Sequence, residues 1–134
     1  MAHIKNSSVR KLEAAQILIS NGYHTESVHC SYYSVLLYMK YILNSLSNEK
    51  SRITYEQQNE NKGNDSHNYI LEEITNRVGN SRDKRYINQE FRALKQERVS
   101  SDYEGITIEA DRSTDIKQLT ESLIYKLKNS FGNP

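Results

Sequence analysis

The most constraining feature of this chain is one long apolar stripe. Val28, Tyr32, Val35, Leu36, Met39, Leu43 and Leu46 recur at spacings of three and four, the signature of a helix burying one face. Tyr33, Leu37, Tyr41 and Ile42 make the same segment apolar on more than one side, so the helix is either central to a bundle or buries a second face against another subunit. The segment is expected to be helical over residues 25–47, with Thr25 as its cap and Glu26 in the first turn. Nothing downstream forbids more of the same, because the only proline is Pro134, the last residue. The five glycines fall between the periodic segments.

The remaining segments repeat the pattern more weakly. Val9, Leu12, Ala15 and Ile19 predict a first helix over residues 8–20, capped by Ser7 or Ser8 and stopped by Asn21-Gly22. Residues 47–65 are polar and read as a mobile loop, with only Ile53 and Tyr55 as anchors. Ile70, Ile74 and Val78 predict a third helix over 66–78. Ser81 with Asp83 opens a fourth over 81–101, striped by Ile87, Phe91 and Leu94. Ile106 and Ile108 lie in a link that tucks two side chains inward or forms a short extended piece. Ser113 with Asp115 opens a fifth helix, striped by Ile116, Leu119, Leu123 and Leu127. The fold class is therefore all-α: an up-down antiparallel bundle of about five helices, one domain spanning 1–134.

Charge narrows the function classes. With 18 basic and 17 acidic residues the net charge is +1, so only a local patch can attract nucleic acid. No apolar run approaches the length of a membrane span, Met1 to Arg10 lack the apolar core of a signal peptide, and one cysteine excludes an internal disulfide. The expected compartment is the cytoplasm, with no membrane contact. The four histidines, His3, His24, His29 and His67, form no helical pair, so no metal site or cofactor is expected. Cys30 reads as a plain buried thiol.

Helix four holds the candidate chemistry. Arg98 occupies the next position on the apolar stripe after Leu94, so its guanidinium is directed at the core or a groove, and a buried cation needs a partner. Asp102, one turn on, can supply it. The pair is either structural, ending the helix, or an anion-binding arginine oriented by Asp102. Arg85, Arg92 and Lys95 make the same helix basic: a phosphate-contacting strip or a solvated face. Ten tyrosines against two phenylalanines suit interfaces and clefts, where an aromatic body needs a wet tip.

Three stretches resemble the HEPN (higher eukaryote and prokaryote nucleotide-binding) family: Ala14-Ala15 through Leu18 to Gly22-Tyr23; Ser27 through Ser31-Tyr32-Tyr33-Ser34-Val35-Leu36; and Leu94 to Tyr103, similar to a Leu-x-x-x-Arg-x-x-x-Asp-Tyr variant. Ser66-His67 also looks like some members. The resemblance implies a helical bundle, commonly a homodimer. It also implies a bacterial toxin–antitoxin or defence role beside a minimal nucleotidyltransferase, with nucleotide or RNA as ligand. Catalytic members are metal-independent ribonucleases with an Arg-x(4–6)-His motif completed across a dimer. Here the three permitted histidine positions hold Tyr103, Glu104 and Gly105, so the usual ribonuclease site is absent. What the resemblance leaves is a non-catalytic binding or regulatory protein, with Arg98 as phosphate ligand, Asp102 its orienter and Tyr103 lining the cleft. The alternatives are a divergent ribonuclease using Arg98 and Tyr103, and a pure protein-interaction bundle.

Overall fold

The computed structural model describes residues 2–60 and 65–132. Six helices run in order: α1 Ala2–Ser20, α2 His24–Ser45, α3 Tyr55–Glu60, α4 Ser66–Thr75, α5 Ser81–Tyr103 and α6 Ala110–Ser130. No strand occurs among the described residues. The all-α bundle is as expected; α3 is the additional helix.

Helix α2 is the central element. It packs against each of the other five helices, and Val28, Tyr32, Val35, Met39, Ile42 and Leu43 on it are fully buried. Of its second apolar face Ile42 is buried, whereas Tyr33, Leu37 and Tyr41 are half-buried. The exposed large apolar side chains lie elsewhere, at Val9, Ile17, Tyr23, Tyr103, Ile106 and Tyr125.

Helix α1 begins earlier than its stripe suggested, so Ser8 is not a cap. It is buried against α2, where its hydroxyl donates to the Ser34 carbonyl at 2.6 Å while the Ser34 hydroxyl donates to the Ser8 carbonyl at 2.9 Å. Two small residues let the helices approach closely enough for this reciprocal pair. The predicted stop at Asn21-Gly22 is observed. Gly22 takes φ 83°, Tyr23 N–H reaches the Leu18 carbonyl at 2.8 Å and Gly22 N–H reaches Ile19 at 3.1 Å, the Schellman arrangement.

Other helix starts differ by a few residues, each for a local reason. Asn80, not Ser81, caps α5, its side-chain oxygen accepting from the N–H groups of Arg82 and Asp83. Thr25 lies inside α2, and its hydroxyl accepts from Ile108 N–H at 2.9 Å. That bond ties the α5–α6 link to α2. It carries Ile108 into the core and leaves Ile106 half exposed, so only one of the two isoleucines turns inward. Helix α6 starts at Ala110, and Ser113 is buried in its first turn, 3.0 Å from His24 Nδ1.

The polar segment after α2 is pinned by side chains reaching backbone carbonyls. Gln58, buried on α3, donates to Lys40 and Ile53 at 3.0 and 2.9 Å; Arg52 Nε donates to Leu46 at 2.9 Å; and Arg77 Nε donates to Ser51 at 2.9 Å. Residues 61–64 of the expected loop lie outside the described residues. The antiparallel register of α5 and α6 is marked by Glu97–Arg112 near their link and by Asp83–Lys126 at the far end.

Candidate functional site

Helix α5 carries Ile87, Phe91, Leu94 and Arg98 on one buried face. Arg98 is 7% exposed, as its place on the stripe demands. Its guanidinium lies over aromatic rings: the carbon centre is 4.9 Å from the Tyr32 centroid and 5.6 Å from those of Tyr33 and Tyr103. Ring quadrupoles attract the cation and replace part of its lost hydration. They are not hydrogen-bond acceptors, and Arg98 Nε, fully buried, has no acceptor among the described residues.

Asp102 is not the close partner that i,i+4 spacing predicted. Arg98 Nη1 stands 3.9 Å from Asp102 Oδ2, beyond hydrogen-bond range. The same oxygen meets His29 Nδ1 on α2 at 2.8 Å. The His29 side chain is 46% exposed and its ring packs on Tyr33 at 4.6 Å between centroids. Asp102 therefore orients an imidazole and only faces the guanidinium.

A second histidine enters from α4. His67 Nδ1 lies 2.8 Å from the Tyr32 hydroxyl. Burial pushes the His67 pKa down to about 4, and the charges of Arg98, Lys40 and Lys95 push the same way. Burial raises the Tyr32 phenol far above its ordinary range, while Arg98 opposes the rise and Tyr33 adds to it. Both are neutral at physiological pH, so the cluster gains polar contacts without adding charge.

Arg98, Lys40 and Lys95 all act as cations on His67, and Asp102 is the acid that approaches Arg98, at 3.9 Å. Of the expected basic strip, Lys95 acts on the cluster through His67. Arg92 is exposed, its Nε bound to Asn88 at 3.2 Å, and Arg85 is exposed roughly 20 Å along the helix axis from Arg98. Tyr103 stands at the rim, 74% exposed, on the last turn of α5, which runs two residues further than its stripe suggested. Cys30, expected to be buried, is only partly so, and burial raises its thiol pKa.

His29, His67, Lys40, Tyr32 and Tyr33 were not nominated as site residues from spacing. The available signals were Tyr32-Tyr33 on the central helix, with His29 one turn before Tyr33, and His67 in the first turn of its own helix. None of them points to Arg98 without the packing.

The fold and cluster define an all-helical bundle with a buried, aromatic-framed arginine beside two histidines. Comparison with protein-family models, curated proteins and solved structures finds no match for the chain. Among the described residues no three of His, Cys, Asp and Glu converge as a metal-ligand set, and no helix is long and apolar enough to cross a membrane.

Proposed function

We propose that this chain is a HEPN-like protein that binds a phosphate group of a nucleotide or RNA at Arg98, without turnover. The observation that carries the reading is the buried guanidinium, with Nε lacking an acceptor among the described residues and Asp102 turned to His29. A buried arginine with free donors matches phosphate geometry, and Lys95 and Lys40 add long-range attraction. Action beside a partner such as a minimal nucleotidyltransferase and a toxin–antitoxin or defence role rest on the sequence resemblance alone; homodimerisation rests on it and on the half-buried second face of α2, Tyr33, Leu37 and Tyr41.

The test is equilibrium binding of labelled RNA and of mononucleotides to wild type and Arg98→Met. Saturable binding lost in the variant supports the reading; equal binding by both overturns it.

One observation favours a second reading, a metal-independent ribonuclease. Asp102 holds His29 by Nδ1, which directs the other ring nitrogen away from the carboxylate, the arrangement of an oriented acid–base imidazole. His29, not Tyr103, is then the proton-transfer group. RNA incubated in EDTA decides between them: intact RNA supports the first reading, and cleavage lost in His29→Ala establishes the second.

A further inference from the structure

The guanidinium belongs to a column that runs from core to solvent. Phe91 and Tyr32 are 5.2 Å apart, Arg98 lies 4.9 Å beyond Tyr32, and Tyr103 lies 5.6 Å beyond Arg98. Exposure along it rises from 0% at Phe91 and Tyr32 to 7% at Arg98 and 74% at Tyr103. The outermost ring is held on its inner side by a cation and open on its outer side. Its backbone is held too: Gly105 takes φ 66° and Ile106 N–H reaches the Ser100 carbonyl at 3.2 Å, closing the helix just after Tyr103.

We infer that the exposed face of Tyr103 is a stacking platform for an unpaired nucleobase, adjoining the phosphate position at Arg98. This rests on the phosphate reading above and names its ligand class: single-stranded nucleic acid or a nucleotide, not a free phosphate. A nucleobase offers the flat face that the platform needs, whereas inorganic phosphate has none. In a duplex that face is covered by the neighbouring pairs, so only an unpaired base fits. The charge at the ring agrees, since the Arg98 guanidinium lies 5.6 Å from its centroid.

The test uses fluorescence anisotropy with three RNA probes of equal length: single-stranded, annealed to its complement, and abasic, with inorganic phosphate as competitor. The proteins are wild type, Tyr103→Ala, Tyr103→Phe and Arg98→Met. Wild type binds the single strand about tenfold more tightly than the abasic strand. It also prefers the single strand to the duplex, against the duplex's greater charge density. Tyr103→Ala abolishes the preference for the single strand over the abasic strand; Tyr103→Phe, which keeps a ring over Arg98, restores it. Because Tyr103 is mostly exposed, its removal leaves the bundle folded, which circular dichroism checks. An unaltered preference in Tyr103→Ala overturns the stacking inference, and the phosphate reading then survives only if Arg98→Met weakens every probe. Absence of binding by wild type overturns both.

Discussion

His29 on α2 and Asp102 on α5 are 73 residues apart in the chain and 2.8 Å apart in the fold. This contact decides the state of Arg98. A carboxylate shared with an imidazole stands 3.9 Å from the guanidinium, and the cation relies on Tyr32, Tyr33 and Tyr103 in place of an acceptor. Removing the charge of Asp102 should therefore favour an anion. Asp102→Asn keeps an acceptor for His29 and deletes a repelling charge, so phosphate affinity rises about threefold at low salt and less at high salt. Isothermal titration at two ionic strengths checks this; a fall in affinity would show that Asp102 positions Arg98 instead.

Stability and binding should separate at Arg98. Arg98→Met fills similar volume, keeps contact with the tyrosine rings and removes a buried charge with an unsatisfied donor. Its unfolding free energy stays within about 1 kcal/mol of wild type or rises. Arg98→Ala leaves a cavity and loses about 2 kcal/mol. Urea unfolding of the two variants measures the difference.

His67 makes the fold acid-sensitive. The unfolded chain takes up a proton near the ordinary histidine value of 6.5, whereas the folded site resists until about 4. Between those values the unfolded state binds more protons, so stability falls as pH drops through the window and is unaffected by His67 above it. Tyr32, Arg98, Lys40 and Lys95 face the ring and supply no negative charge to rescue the imidazolium. His67→Gln keeps a polar partner for Tyr32 and should lose less stability than wild type between pH 7 and pH 5, measured by denaturant midpoints.

The α1–α2 seam depends on its two serines. Ser8→Ala and Ser34→Ala each cost about 1 kcal/mol through one lost buried hydrogen bond. Ser34→Leu costs more, because Ser34 is fully buried and a branched side chain forces the helices apart. Thermal melts of the three variants rank these effects.

Gln58 should govern order in the segment after α2. Its amide bonds the Lys40 and Ile53 carbonyls, which few other contacts replace. Gln58→Ala raises hydrogen exchange across α3 while the exchange of α2 core amides stays near wild type. Equal protection of α3 in both proteins would show that Ile53 and Tyr55 suffice as anchors.

Much of the framework was legible in the chain. The stripes at three and four specify helices because burial of one face per turn is a local relation, visible within one window. Gly22 marked a helix end because it takes the left-handed conformation there at no steric cost. Arg98 pointed inward for the same reason as Leu94: both occupy the buried face of one helix. Helix α3 was invisible because one tyrosine followed by five polar residues has no apolar period, and its anchor is an amide reaching carbonyls.

The sequence by itself determined that Arg98 is buried and that Asp102 lies one turn away. Only the tertiary structure decided what surrounds them. The two-sided apolar helix is central because all five other helices pack against it, a set of contacts that no single window of sequence contains. His29 and His67 come from α2 and α4, and Asp102 turns to the first of them, because the rotation of each helix about its axis is settled by packing against all its neighbours. That rotation depends on side chains far apart in the chain. A spacing rule, which compares residues a turn apart, carries no information about it.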